Sequence, residues 1–384
     1  MPHRLFIIVG EASGDAHGAK LAAALLARDP TLILEGTGGA AMEKAGVRLR
    51  HDIRHLGVVG LVEVLSQWRG IWRAYREICR QLRDEPPSAL VLIDYPDFNL
   101  RIARVAKRLG IPVIYYVSPQ IWAWRPDRIK TIAARVNLML VLFAFEADLY
   151  RIAGVPCRWV GHPLLDDESP TVDQEAFARR HRLAPGERVL ALLPGSRALE
   201  VSRLLPTMLA AAESVCAEGL FDRVMIAAAP SIDMTLIEDI TARAESRVRL
   251  TVTSGEAASV LHAARAAVVA SGTATLQAAV IRTPLVMVYR VAPLTAWIAR
   301  RLVTSPHIAL VNVVAGRRVV PELLQGAVTV EHIADELRDL VSDEGKYRAM
   351  RDGLAAVRAK LGEPGASVRA ADAILDYVTR GAAA

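Results

Sequence analysis

Several short stretches of this chain combine residue types that could hold or activate a ligand, and each follows a β-branched apolar run. The sharpest is Ile93-Asp94-Tyr95-Pro96-Asp97-Phe98-Asn99, because a buried strand rarely ends in two acids around a proline. Asp97 directly precedes a helical pattern and reads as its N-cap. Asp94 sits at the strand tip, where capping does not explain it. A partly desolvated carboxylate there suits a general base that deprotonates an attacking hydroxyl; the alternative is a structural hydrogen bond to a neighbouring loop.

The other stretches offer binding rather than proton transfer. Gly10-Glu11-Ala12-Ser13-Gly14-Asp15 leads into a helical pattern beginning near Ala16. Its glycines allow a tight turn whose amides could hold an anion or a sugar hydroxyl, unless it is a plain glycine-rich turn. It fits neither the dinucleotide nor the P-loop pattern. Trp122-Ala123-Trp124-Arg125 could face a sugar ring or an acyl chain, or pack between domains. His162, in Gly161-His162-Pro163, reads as a hinge or a satisfied histidine. Further on, Gly195 and Ser196 permit close backbone approach while Arg197 supplies a bidentate donor, with Glu200 in the next helical turn; that set suits a diphosphate. Ser271-Gly272-Thr273-Ala274-Thr275-Leu276-Gln277 opens a helix with small and hydroxylated residues, which makes an anion site from backbone amides. No His, Cys, Asp or Glu cluster has metal-ligand spacing, so neither metal nor cofactor is expected.

These loops need a scaffold that brings strand ends together. Apolar runs alternate with helical patterns throughout, which predicts an α/β fold built on parallel sheets. Strands are expected at Leu5 to Val9, Leu32 to Leu34, Leu90 to Ile93, Val113 to Val117, Leu138 to Leu142 and Arg158 to Val160. The rhythm restarts at Val189 to Leu193, Val224 to Ile226, Val248 to Val252, Ala267 to Ala270 and Leu285 to Tyr289. Between the halves, Pro163 to Gln174 reads as a linker. At 384 residues the chain exceeds what one core supports. Two doubly wound domains are therefore expected, 1–165 and 166–342, with a helical tail over 343–384 packing back on the first. Ligands of such sheets bind beyond the carboxyl ends of the strands, where these loops lie.

Hydrophobic residues make up 52% and charged residues 23% of the chain, the composition of a globular protein. The net charge of +6 points to an anionic partner: nucleic acid, a phosphorylated substrate or an anionic membrane face. Nucleic acid is the least favoured, since no known nucleic-acid-binding signature accompanies the charge. Cys79, Cys157 and Cys216 make no framework, which fits a reducing compartment. The opening apolar stretch is too short for a signal peptide and reads as a buried strand. No uncharged run is long enough to cross a bilayer. Over Leu61 to Arg83, Trp68, Trp72, Tyr75 and Cys79 share a helical face beside Arg69, Arg73, Arg76, Arg80 and Arg83, with a shorter patch at Trp297 to Leu302. Such a helix can lie on an anionic bilayer, or it is an ordinary amphipathic helix with a solvated basic face.

Taken in order, the motifs resemble those of lipid-A-disaccharide synthases, family 19 of the glycosyltransferases, from about Leu5 to Gln325. They include Gly10 to Asp15, Gly60 to Leu65, Asp94 to Asn99, Tyr116 to Arg125, Phe145-Glu146, Gly161 to Pro163, Leu192 to Arg197, Ser271 to Leu276 and Pro321 to Gln325. The resemblance implies a GT-B fold, two Rossmann-like domains with a cleft between them. It implies inverting transfer of 2,3-diacylglucosamine from its UDP donor to 2,3-diacylglucosamine 1-phosphate, giving a β-1,6-linked disaccharide and UDP. Asp94 then corresponds to the base for the acceptor 6-hydroxyl and Arg197 to a residue needed near the donor phosphates. Substrate contacts are expected from Glu11, Ser13, Gly14, Asp15, Asn99, Gln120, Trp122, Arg125, Gly195, Ser196, Ser271, Gly272, Thr273, Thr275 and Gln277, and closure of the domains is expected to exclude water. The family's enzymes are peripheral to the cytoplasmic membrane face, which favours lipid contact through Trp68, Trp72, Arg69, Arg73 and Arg76, and a homodimer is possible. In one departure, Gln277 stands where the family usually has Glu, an acid that in GT-B enzymes commonly accepts hydrogen bonds from the ribose. The rival readings are another GT-B enzyme, such as a UDP-N-acetylglucosamine 2-epimerase or the glycosyltransferase of lipid II synthesis, and a non-catalytic nucleotide-sugar-binding regulator.

Overall fold

A parallel strand covered on both faces must be apolar throughout, and the buried runs of the sequence do become strands. The computed structural model describes residues 3–52, 61–167, 173–244, 248–293, 295–297 and 305–381. The chain divides into two units, Met1–Glu168 with Leu361–Ala384, and Ser169–Lys360.

Among the described residues the first unit holds a seven-stranded parallel sheet of order β3-β2-β1-β4-β5-β6-β7. Its strands are β1 (Arg4–Ile8), β2 (Ile33–Gly38), β3 (Arg48–Asp52), β4 (Ala89–Ile93), β5 (Val113–Tyr116), β6 (Leu138–Val141) and β7 (Cys157–Trp159). Between them run α1 (Ala12–Arg28), α2 (Ala40–Lys44), α3 (Leu61–Asp84), α4 (Pro96–Arg108), α5 (Ile121–Trp124), α6 (Arg128–Arg135) and α7 (Ala144–Ile152). Alternation sets the two faces of the sheet. Phe6 and Ile8 of β1, with Leu90 and Leu92 of β4, pack with Ile78 and Leu82 of α3 and Ile102 and Ala106 of α4. Each such leucine, isoleucine or phenylalanine side chain taken from water contributes roughly 1.5–3 kcal/mol.

The second unit repeats the plan with a six-stranded sheet of order β10-β9-β8-β11-β12-β13. The strands are β8 (Val189–Leu193), β9 (Arg223–Ala228), β10 (Leu250–Ser254), β11 (Ala264–Ala270), β12 (Leu285–Tyr289) and β13 (Glu322–Leu324). The helices are α8 (Gln174–His181), α9 (Ala198–Ala217), α10 (Met234–Arg243), α11 (Ala257–Ala263), α12 (Thr273–Ile281), α13 (Leu310–Ala315), α14 (Val330–Ser342) and α15 (Glu344–Lys360). Leu204, Leu205 and Met208 of α9 and Ile333 and Leu337 of α14 cover one face, meeting Leu190, Leu192, Ile226 and Val268.

The strands absent from the sequence expectation, β3 and β13, both lie at sheet edges. β3 reads Arg-Leu-Arg-His-Asp, and an edge strand needs no continuous apolar run and is better protected by charge. β13 has three residues, too few to carry a pattern.

The tail also differs from expectation. Only α16 (Ala366–Gly381) joins the first unit, packing on α1, whereas α15 packs on α12 and α13 of the second. The junction is fixed by Asp166. Its Oδ1 accepts from the backbone N–H of Gly365 and Ala366 at 2.7 and 3.0 Å, and its Oδ2 from the N–H and hydroxyl of Ser367 at 3.1 and 2.9 Å. The orphan amides at the start of α16 are thus capped by a carboxylate distant in sequence, which no local pattern announces. In the expected linker, Pro163–Asp167 forms a 3-10 turn, and residues 168–172 lie outside the described residues.

Candidate active site

The strand order of the first sheet reverses between β1 and β4, and ligands of open parallel sheets bind at such a switch point. Ile8 pairs with Leu92 across those strands, so the loops at Gly10 and at Asp94 leave the sheet side by side. Gly10 is required there: a Cβ on it would lie 2.2 Å from the Tyr95 ring. Tyr95 and Asp94 both adopt left-handed backbone, at φ 48° and 49°. Each such non-glycine residue costs about 1 kcal/mol or more, and it persists only where its surroundings hold it. Asn99 does the holding. Its side-chain amide donates to the carbonyls of Ile93 and Asp94 at 3.2 and 2.7 Å, and the Tyr115 hydroxyl donates to the Asp94 carbonyl at 2.5 Å.

With its backbone pinned, the Asp94 carboxylate is partly buried at the strand tip, and its pKa is pushed up to about 6. Burial is the main cause; the charge of nearby Glu11 adds to it, and a hydrogen bond from the Tyr95 backbone opposes it. A group poised there is ionised at neutral pH yet basic enough to take a proton.

Several expected roles change. Helix α1 begins at Ala12, not near Ala16, with Glu11 at its N-cap position, where the Ser13 hydroxyl donates to Glu11 Oε1 at 3.3 Å. Gly14 is buried against Val9, whose Cβ a new side chain would meet at 3.2 Å. Asp15 has a structural part: it is 8% exposed, and its carboxylate accepts from the backbone N–H of Gly39, Ala41 and Met42 at 2.7, 3.0 and 3.2 Å, capping α2. Asn99, fully buried, likewise supports the Asp94 turn. Asp97 does not cap α4. The N-cap residue is Tyr95, and Asp97 lies in the first turn, ion-paired with Arg128 and with Arg125 at 3.5 Å.

In the tryptophan loop, Gln120 is exposed and Arg125 stacks over Trp124 at 4.7 Å. The Trp122 indole N–H donates to Glu146 Oε1 at 3.1 Å and so is engaged by the protein itself. His162 is a satisfied histidine. Its Nδ1 accepts from Leu164 N at 3.1 Å, and burial, with His17 and Lys20 nearby, lowers its pKa to about 3.

The second sheet has its switch point between β8 and β11, whose register pairs Leu193 with Val269. The loops at Gly195 and Ser271 therefore also emerge together. Gly195 has φ 118°, and a Cβ there would come within 2.7 Å of Glu200 Oε2. Arg197 is the exposed N-cap residue of α9, its Nη1 3.0 Å from Glu200 Oε1. Tyr289 at the end of β12 sits close by: burial raises its pKa, Glu200 adds to the rise and Arg197 opposes it. Ser196 and Thr273 are exposed, and Ser271 donates its N–H to Val288 O at 3.1 Å. Gly272, at φ 137°, is the N-cap of α12. Thr275 is fully buried and its hydroxyl donates to Gly272 O at 2.9 Å, so it builds the turn. Gln277 is half-buried one turn into the helix. Among the described residues no group of three or more His, Cys, Asp or Glu side chains is placed to hold a metal ion.

On α3, Trp72 is 52% exposed and stacks on Tyr75 at 5.4 Å, whereas Cys79 is buried. The expected aromatic face is thus partly core and partly surface. Trp72 and Tyr75 line an open groove of about 750 Å³ with Arg69, Arg73, Arg76 and Arg80. The Gly60 to Leu65 side chains, the Trp68 side chain and the Ile298 to Leu302 patch lie outside the described residues. Among the described residues no helix is long and apolar enough to cross a membrane.

Gly10, Tyr95, Glu146 and Tyr289 stand in the motifs and strands quoted above, but no part of their own in the site was expected of them. The signal for the first two was present, since a glycine and an aromatic at adjacent strand ends suggest close approach. Glu146 and Tyr289 acquire their meaning only from tertiary neighbours.

Two doubly wound units, each with its polar loops at the switch point, make an α/β protein of the GT-B type. Solved structures of that architecture align along nearly the full length: the UDP-GlcNAc 2-epimerase of Neisseria meningitidis bound to UDP-GlcNAc (TM-score 0.64, 11% identity, 97% of this chain and 99% of that one). A ugt transferase from Siraitia grosvenorii in complex with UDP aligns at TM-score 0.59 and 14% identity, over 98% and 99%. At such identities the likeness is one of fold alone. The sequence relationship is closer: residues 5–374 match the lipid-A-disaccharide synthetase family model. The lipid-A-disaccharide synthase of Myxococcus xanthus is 45% identical over 99% of both chains, and that of Syntrophus aciditrophicus 44% over 98% of both. The chain belongs to the lipid-A-disaccharide synthase family and is a hexosyltransferase. That membership favours the synthase over the epimerase and regulator alternatives.

Proposed function

We propose that the chain transfers 2,3-diacylglucosamine from UDP-2,3-diacylglucosamine to the 6-hydroxyl of 2,3-diacylglucosamine 1-phosphate, with inversion. Asp94 takes the hydroxyl proton, the oxygen forms its bond to the donor anomeric carbon, and the bond to the β-phosphate oxygen breaks with its electron pair leaving on UDP. Arg197 and the backbone amides at the start of α12 hold the diphosphate as that charge develops. The observation carrying this reading is the partly buried Asp94 carboxylate, raised to about 6 on a strained turn at a switch point. Gln120, Trp124 and Arg125 are the acceptor-side surface, and Gln277 takes the ribose contact that an acid makes elsewhere. The exposed Trp72 with Arg69, Arg73 and Arg76 rests on the anionic cytoplasmic face of the inner membrane, as suits a lipid substrate.

The test is UDP release with the donor alone and then with the acceptor added. Release that needs the acceptor, with a disaccharide 1-phosphate seen by mass, is the expected outcome; acceptor-independent turnover of the donor would refute it.

A further inference from the structure

Glu146 is the least expected charge in the first unit. It is 2% exposed, and its partners are all neutral donors rather than a cation. At the third position of α7 its Oε2 accepts from the backbone N–H of Phe143 at 3.2 Å, an ordinary helix-start contact. Capping needs only that one oxygen. The other, Oε1, reaches a different loop, accepting from the Ser118 hydroxyl at 2.8 Å and the Trp122 indole N–H at 3.1 Å. An isolated buried carboxylate costs several kcal/mol, so a neutral cap would serve folding better.

What Oε1 holds is a strained turn. Val117 has φ 62° and Arg125 φ 147°, left-handed values at either end of the segment. Inside it, Ser118 and Ile121 are buried, while Gln120, Trp124 and Arg125 point outward. Trp122 is wedged edge-on against Phe145 at 5.5 Å. The anchors and the exposed residues thus alternate along one short turn beyond β5, and the anchors end on a single oxygen.

We infer that Glu146 is a positioning residue for the acceptor: through Ser118 and Trp122 it sets the turn that presents Gln120, Trp124 and Arg125. The inference rests on the acceptor docking at the first unit, as in the reading above. It separates a role in substrate geometry from one in helix capping, because the two use different oxygens.

The experiment compares Glu146→Gln, Trp122→Phe and the double variant with wild type, measuring kcat and KM for donor and acceptor separately, UDP affinity and the thermal midpoint. Glu146→Gln keeps the shape but weakens the charge-assisted bonds, and Trp122→Phe removes one donor while keeping a ring. Each single variant is expected to raise the acceptor KM about tenfold, the scale of one lost charge-assisted hydrogen bond. Donor KM and UDP affinity stay within twofold, and the double variant is no worse than the poorer single one, because both act through one contact. An unchanged acceptor KM in Glu146→Gln, or equal losses for donor and acceptor, would overturn the inference. Should wild type itself turn over without acceptor, the failure would belong to the functional reading instead.

Discussion

The pH dependence of transfer gives the most direct access to Asp94. Its carboxyl is raised from 3.8 to about 6, mainly by burial and then by the charge of Glu11. The profile of kcat/KM reports the free enzyme's essential base. Above pH 7 Asp94 is almost fully ionised; at pH 5 roughly one-tenth of it is, so kcat/KM should fall about tenfold between those values. An ordinary Asp at 3.8 would keep over about nine-tenths of the activity at pH 5. Replacing Glu11 by Gln removes the second cause and should move the acid limb to lower pH. Glu146, pushed by burial to about 7, titrates in the same window, so the profile is repeated in Glu146→Gln. Initial rates of UDP release at constant ionic strength from pH 5 to 8.5 are the assay. A flat profile, or a limb that vanishes in Glu146→Gln and ignores Glu11→Gln, refutes the assignment of Asp94 as base.

Asp94→Asn should cut turnover by about 10²–10⁴-fold while UDP binding stays nearly intact. The same variant should be more stable above pH 6. A raised folded pKa means the native state binds more protons between about pH 4 and 6, so stability falls as pH rises through that window; the neutral amide escapes up to about 3 kcal/mol of it, read from denaturant midpoints at pH 8. Arg197→Ala should lower kcat by about 10²–10³-fold, the scale for losing one group that stabilises a leaving charge, and an unchanged kcat would place the diphosphate elsewhere. Gly10→Ala should displace Tyr95 and with it Asp94, lowering kcat more than thermal stability; a fall in both alike would mark Gly10 as merely structural. Gln277→Glu should tighten UDP binding in calorimetry, and a weaker affinity would count against the ribose contact.

Much of this molecule could be read from its residues. Short continuous apolar runs such as Ala89–Ile93 and Val189–Leu193 read as buried parallel strands and are so, and the loops after them place Asp94, Gly195 and Arg197 at the carboxyl ends of the sheets. Two doubly wound sheets followed from the restart of that rhythm. Less legible were side chains that turn inward to a backbone group, whether that group is near in sequence, as for Asn99 and Thr275, or distant, as for Asp15. Asp15, Asn99 and Thr275 looked like ligand groups because polar residues at strand ends usually face solvent or substrate. Each satisfies a backbone group: Asp15 caps α2, Asn99 holds the Ile93 and Asp94 carbonyls, and Thr275 bonds Gly272 in its own turn.

The sequence by itself determined the class of fold, the polar loops that follow the strands and the family, since each depends on local patterns of polarity and on motifs read in order. Only the tertiary structure decided the strand order that sets the Gly10 and Asp94 loops side by side, the raised pKa of Asp94, and the shared oxygen of Glu146. Desolvation and hydrogen-bond satisfaction are properties of what surrounds a group in space, and a chain acquires those surroundings only once distant segments have packed.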